Sequence, residues 1–359
     1  MNILFLAPYP QNIGPSQRFR FEHYLPQLAA KEINYTYTTF IRGSNYKILF
    51  SRGFFFKKFF IIFNGFLKRF LLLFKLNKYH FIYIHREAAP LGPPIFEWFI
   101  AKVWRKKIIY DFDDAIWIPS SSAANPGASK IKCTWKVKKI CAWSFIVTTG
   151  NSFLADYAKK YCTDVRIIPT VVNTERIHNK EKNHADVPLA IGWTGTFTNF
   201  IHLSLIIPAL VQLKKKYLFD FIIIADKDPE FIGIDYKYIK WNALTEIDDL
   251  LLLHVGLMPL VETDIQLQLG KCAFKAIQYM SLGIPAVVTP IGANCDVVTD
   301  SVNGYWANTQ EEWYIKLENL INNEELRCKI GASAKKSIIK NYSVNSTTEE
   351  FLNLFKIRL

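Results

Sequence analysis

Two short stretches concentrate the residues that could do chemistry. In "YDFDDAIW" three carboxylates, Asp111, Asp113 and Asp114, follow an apolar run that reads as a strand. Strand ends are where an open α/β sheet exposes reactive groups. In "GKCAFKAIQYMSLGIPAVV", Lys271 and Lys275 are four residues apart at the start of a helical pattern that a Gly-Ile-Pro turn stops. Two cations on one face near a helix N-terminus suit a phosphate, because the free backbone N–H groups there also favour an anion. No C-x-x-C pair or H-E-x-x-H array accompanies the six cysteines and seven histidines, so the reading includes no metal and no cofactor.

These residues need strands and helices to hold them. "MNILFLA", "HFIYIHREA", "KKIIYDFDDAIW", "SFIVTTG" and "DVRIIPTVVN" are apolar strands, several ending in polar residues such as His85 and Glu87. After the polar stretch "TERIHNKEKNHADVP" the pattern restarts with "LAIGWTGTFTN", "FDFIIIADKD", "HVGLMPLVE" and "PAVVTP". The expectation is an α/β protein with two Rossmann-like, doubly wound domains facing a cleft. The divisions are 1–173 for the first domain, 174–188 for a linker, 189–341 for the second domain, and 342–359 for a terminal helix returning to the first.

A length of 359 residues suits two such domains of roughly 150 to 200 residues each. The net charge of +13 is uneven: 25 Lys and Arg face 9 Asp and Glu through Thr170, against 19 and 22 after it. That asymmetry points to an anionic partner for the first half. The candidate element is "FFFKKFFIIFNGFLKRFLLLFK", 54 to 75, too interrupted by charge to supply the ~20 apolar residues of a membrane span. On a helix Lys57, Lys68 and Lys75 nearly eclipse, with Lys58 and Arg69 close by, and the remaining circumference is Phe, Leu and Ile. It reads as an interfacial helix on an anionic membrane surface, not as a nucleic-acid platform.

The motifs "PYPQNIGPSQRFRFE", "YDFDDAIW", "IIPTVVNTERI", "IGWTGTFTN", "VGLMPLVE" and above all "KCAFKAIQYMSLGIPAVVTPIG" together resemble the GT-B retaining glycosyltransferases of family 4 over nearly the whole chain. The resemblance implies a cytoplasmic, peripherally membrane-bound enzyme of polysaccharide assembly. It would take a nucleoside-diphosphate sugar as donor, in the second domain, and a lipid-linked or glycan acceptor in the first. The family's paired glutamates fall here on Gly270 and Gln278, and its diphosphate-binding Arg and Lys on a loop holding only Thr194, Thr196, Thr198 and Asn199.

With those groups missing, Lys271 and Lys275 are the expected diphosphate ligands, with Gly14, Thr196 and Asn199. Gln278 and Trp241 are assigned to ribose and base, and the sugar to Glu262, Asp264 or Gln268. Asp113 or Asp114, near a catalytic-site histidine of the relatives, would contact the sugar or orient the acceptor hydroxyl. Arg18, Arg20 and His85 are the acceptor-side candidates. A weakly active sugar-binding partner or a nucleotide-sugar epimerase are the alternatives.

Overall fold

The computed structural model describes residues 1–51, 53–119 and 131–356. The chain divides into two compact units, Met1–Pro169 with Thr348–Leu359, and Thr170–Thr347. Each carries one six-stranded sheet in which every pairing is parallel.

In unit 1 the strands are β1 (Asn2–Ala7), β2 (Asn34–Thr39), β3 (Phe81–His85), β4 (Lys107–Phe112), β5 (Ile146–Thr149) and β6 (Val165–Ile167), in the order β2-β1-β3-β4-β5-β6. In unit 2 they are β7 (Ala190–Gly195), β8 (Asp220–Ala225), β9 (Lys237–Lys240), β10 (Val255–Met258), β11 (Ala286–Val288) and β12 (Tyr305–Trp306), in the order β12-β11-β10-β7-β8-β9. Chain order reverses between β1 and β3 in the first sheet and between β7 and β10 in the second. Such switch points leave a crevice at the strands' carboxyl ends, where ligands bind in doubly wound sheets. The two doubly wound sheets are the Rossmann-like pair that the strand pattern predicts.

The central strands are near-continuous apolar runs because helices cover both faces: β1 and β4 each bury five of their six residues. The short or half-exposed edge strands β2, β9 and β12 carry no such run, and the sequence pattern passes over them. The expected strand 164–173 shrinks to Val165–Ile167.

Residues 174–188 do not form a free linker. Lys182 N–H donates to the Leu282 carbonyl at 2.8 Å and the His184 ring meets the Gly283 carbonyl at 2.9 Å, so the stretch lies along unit 2. Its polar residues satisfy carbonyls at the end of the Phe274–Ser281 helix, which Gly283 stops with a left-handed φ of 75°. The last segment packs in unit 1, where Phe351 stacks on Tyr24 at 4.1 Å and Phe355 meets Phe5 and Phe81.

The helix Phe55–Leu73 departs from expectation in which side it buries. Its buried residues are Ile61, Gly65, Arg69 and Leu73, one per turn. Arg69 is 1% exposed and donates to the carbonyls of Ala7, Thr38 and Ala88; Lys68 donates to Thr39 at 2.8 Å. Two cations of the expected headgroup stripe therefore fasten the helix to the sheet, because strand ends offer carbonyls that need donors. Phe55, Phe56, Phe59, Phe60, Phe63 and Phe70 face outward, each more than half exposed.

Candidate functional site

In unit 1 the chemistry gathers at the carboxyl ends of β3 and β4 and the loop after β1. Asp111, wholly buried, accepts from Arg20 at 2.5 Å, from Thr148 at 2.8 Å, and lies 2.7 Å from His85 Nδ1. Burial would raise its pKa, but Arg20 and His85 outweigh that and hold the carboxyl below the usual carboxylate range. His85 Nε2 meets Ser16 Oγ at 2.7 Å, and Ser16 lies 2.7 Å from Asp113 Oδ1, which also accepts two hydrogen bonds from Arg86. Asp113, too, is held low against burial by the Arg86 guanidinium. Arg86 adopts a left-handed φ of 60°, a strained backbone at a strand end.

The result is one continuous array, Asp111–His85–Ser16–Asp113–Arg86. Ser16 has a single hydroxyl proton for two neighbours, so its donation to Asp113 or to His85 depends on the imidazole's protonation. Ser16, Asp113 and Arg86 are the partly exposed members; Asp111 and His85 are buried.

The sequence expectations fall unevenly on this array. Asp113 and His85 belong to it. Asp114 turns aside and accepts the Ala115 N–H at 2.9 Å. Arg20 is not an acceptor ligand: it is 1% exposed, with its guanidinium committed to Asp111 and the Ile168 carbonyl. Arg18, 7% exposed, lies over the Phe19 ring. Gly14 has an ordinary φ of −78° at the N-cap of Pro15–Arg20, and a Cβ there would come within 3.1 Å of Tyr9; close packing, not turn geometry, calls for glycine. Ser16 and Arg86 were not singled out; the only signals were that Arg86 directly follows β3 and that Ser16 lies in the opening turn of the first helix after β1.

In unit 2 the site forms at the β7/β10 switch point. Gly256 leaves room for the Tyr279 ring, whose hydroxyl accepts the Thr194 N–H at 2.8 Å and so draws the Phe274–Ser281 helix onto β7. Lys275 is thereby laid beside Gly195, where a Cβ would stand 3.0 Å from Lys275 Cε, and its ammonium lies 5.6 Å from the Trp193 ring centre. Lys271 is not on the same helix. The helix starts at Phe274 after Ala273, which takes a left-handed φ of 53°, and this turn brings the two lysines together instead of helical spacing.

Burial, then the charge of Lys271, pushes the Lys275 pKa down to about 7. Among the described residues no carboxylate forms an ion pair with Lys275. His202 faces the same pair: burial and both lysines push it down to about 4, and its Nδ1 accepts the Val261 N–H at 3.3 Å. It is thus a neutral ring whose remaining proton is on Nε2. The loop beyond Gly195 adds Thr196, Thr198 and Asn199, hydrogen-bonded to one another at 2.9 and 3.0 Å.

A second polar group flanks these cations. Gln278, 2% exposed, donates to Glu246 Oε1 at 3.3 Å, and Trp241 Nε1 donates to the same oxygen at 3.2 Å. Gln278 and Trp241 are therefore joined by a carboxylate that sequence reasoning missed, since Glu246 comes from a different helix, Glu246–Leu251. Glu262 is exposed on the loop after β10. Asp264 caps the helix Ile265–Leu269, and Gln268 is buried in it.

Comparison with known proteins follows this division. The family "Glycosyl transferases group 1" matches residues 270–337, the segment that holds Lys271, Lys275 and Gln278. No curated protein sequence matches the chain. Among solved structures it is similar to sucrose-phosphate synthase from Thermosynechococcus elongatus (TM-score 0.70, 10% identity, 99% of this chain and 98% of that one). It is also similar to Anabaena HepE in complex with UDP-glucose (TM-score 0.67, 13% identity, 99% of each chain). A TarM variant from S. aureus, in complex with fondaparinux, α-GlcNAc-glycerol and UDP, covers 80% of this chain and 58% of its own at TM-score 0.57 and 17% identity. The chain has the GT-B fold of two Rossmann-like units, and its residues 270–337 are similar to the group 1 glycosyl transferases.

Proposed function

We propose that the protein is a glycosyltransferase that moves a sugar from a nucleoside-diphosphate donor, held by unit 2, to a lipid-linked or glycan acceptor served by unit 1. The observation that carries the reading is the cationic group at the β7/β10 switch point, Lys275 with Lys271 and the neutral His202. Lys275 is lowered first by burial and then by the Lys271 charge, and among the described residues no carboxylate forms an ion pair with it. A diphosphate between the two lysines returns Lys275 to its charged form.

In the reaction the bond between the sugar's anomeric carbon and the diphosphate breaks, and the diphosphate leaves with the electron pair. Lys271 and Lys275 stabilise the charge it gains, with His202 Nε2–H and the Thr196 and Asn199 side chains as neutral donors. The acceptor hydroxyl oxygen forms the new bond to the anomeric carbon with its own electron pair, and its proton passes to the departing diphosphate oxygen. Gln278, Glu246 and Trp241 receive the nucleoside. A carboxylate so placed answers the missing family glutamates and favours an active transferase over a residual binding protein. HepE was solved with UDP-glucose and TarM with UDP, which supports a uridine donor.

In unit 1 Asp113, oriented by Arg86 and Ser16, receives the acceptor hydroxyl, while His85 and Asp111 hold Ser16 in place. Retention of anomeric configuration follows from the family resemblance, as does transfer without a metal. The outward-facing phenylalanines of Phe55–Leu73, flanked by Lys57 and Lys58 in the more basic half of the chain, support a bilayer on the acceptor side. A peripheral enzyme at a membrane surface is the consequence.

The test is a panel of nucleoside-diphosphate sugars assayed for hydrolysis and for transfer to lipid extracts. Release of nucleoside diphosphate from one donor, abolished in Lys275→Ala, supports the reading. Absence of both binding and turnover across the panel overturns it.

A further inference from the structure

A cavity of about 470 Å³ opens in unit 1 between the end of β2 and the helices Gly43–Phe50 and Phe55–Leu73, apart from the Asp111–Asp113 array. Its lining combines a cationic part, Arg42, Lys68 and Lys75, with an apolar part, Ile61, Leu67 and Leu71. The cations are not neutralised from within. Burial lowers the Lys68 pKa, and the charges acting on it, Arg69 and Arg42, are both positive. Among the described residues no Asp or Glu forms an ion pair with Arg42, Lys68 or Lys75. One proton of the Lys68 ammonium is spent on the Thr39 carbonyl, which leaves two for a ligand.

The apolar part is continuous with the outer surface. Leu67 and Leu71 line the cavity and are also 45% and 54% exposed, on the same helix as the outward phenylalanines. A ligand filling both parts has an anionic head on the lysines and an apolar chain that runs past the leucines onto the phenylalanine face.

We infer that this cavity binds a lipid with an exposed phosphate monoester or diphosphate, its phosphate on Arg42, Lys68 and Lys75 and its chain along Leu67 and Leu71. Three cations match a group of two or more negative charges better than a phosphodiester with one. The inference deepens the lipid-acceptor reading and rests on its membrane part, because the chain's exit is the face assigned to the bilayer. It moves the lipid-phosphate contact away from Arg20, which is committed to Asp111.

The experiment is flotation of the full chain with three vesicle types: phosphatidylcholine alone, or with phosphatidylglycerol or phosphatidic acid matched in total charge. Wild type should prefer phosphatidic acid over phosphatidylglycerol, and Arg42→Ala or Lys68→Met should each cut that preference about fivefold while flotation persists. Phe59→Ser/Phe63→Ser should lose flotation on all three. Equal binding to the two anionic vesicles, or a preference kept in both cation variants, overturns the cavity assignment.

If wild type floats with no vesicle, the membrane reading fails by itself. Monomeric short-chain phosphatidic acid, read by thermal shift, then tests the cavity alone: a shift lost in Lys68→Met upholds it, and no shift sinks it. Inorganic phosphate is the remaining arm. If it shifts the melting temperature as much as the short-chain lipid at equal concentration, the ligand is a free ion and the lipid assignment is overturned.

Discussion

The carboxyl edges of the two sheets share a topology and differ in how their charges are settled. In unit 1, Arg20 meets Asp111 and Arg86 meets Asp113, with His85 and Ser16 between, so the array is closed on itself. In unit 2, Lys271 adds its positive charge to the burial that lowers Lys275, and among the described residues no carboxylate forms an ion pair with Lys275. Ion pairs hold the groups of the first array at fixed positions; Lys275 has no such pair to hold it. One sheet architecture thus supports a closed set of hydrogen-bonding groups in one unit and a pair of neighbouring lysines in the other, because loops at strand ends set the chemistry.

The contrast breaks most sharply at Asp111. Asp111→Ala leaves Arg20 buried without its partner, and should cost about 3–5 kcal/mol of stability, measured by denaturant unfolding of the intact chain. An unchanged midpoint would show that the array is not closed as described.

Lys275→Ala should do the reverse: donor turnover falls by about 10²-fold or more in kcat/KM, while the melting temperature holds or rises, since a depressed cation is removed. A large loss of stability would place Lys275 in the structural class of Arg20.

A smaller effect is expected from pH. Free Lys275 titrates near 7, so raising pH through that value leaves it neutral and costs a proton on donor binding. The donor Kd should therefore increase with pH above 7, approaching about tenfold per unit while the bound lysine stays charged. Lys275→Arg, charged throughout, should flatten the slope. The same depression makes folding stability rise between pH 7 and the unfolded lysine value, because the unfolded chain holds the extra proton there. The smallest effect belongs to Gln278→Ala, which removes one donor from Glu246 and should weaken donor binding by less than about tenfold; calorimetric titration reads it.

Several features were legible because they are written in runs of neighbouring residues. The buried strands β1, β4, β7 and β8 are apolar stretches, and Gly283 marks the helix stop after Lys275. The edge strand β2, "NYTYTT", was not, since a strand with one open edge and a polar face has no apolar run to betray it. The polar stretch 174–188 looked like a linker for a related reason: most of it is exposed, and only a few side chains, such as Lys182 and His184, are spent on carbonyls of unit 2.

Charged residues were the least readable. Arg18 and Arg20 carry the same side chain two positions apart, yet Arg20 is locked to Asp111, 91 residues away, and Arg69 is locked to the carbonyls of Ala7, Thr38 and Ala88. Spacing on a helix placed Lys68 and Arg69 beside Lys57, but the partners that turn the first two inward lie on β1, on β2 and in the loop after β3.

The sequence by itself determined the two-sheet α/β class and the basic and aromatic helix of the first half, and it singled out Lys271 and Lys275 by their spacing. These depend on residue types within a few turns of chain, where periodicity and composition act. Only the tertiary structure decided which cations are spent and which remain open, that Glu246 joins Gln278 and Trp241, and that Ser16 bridges His85 and Asp113. A charge is settled by whatever lies within a few ångströms, and in a doubly wound sheet those neighbours come from loops far apart in the chain.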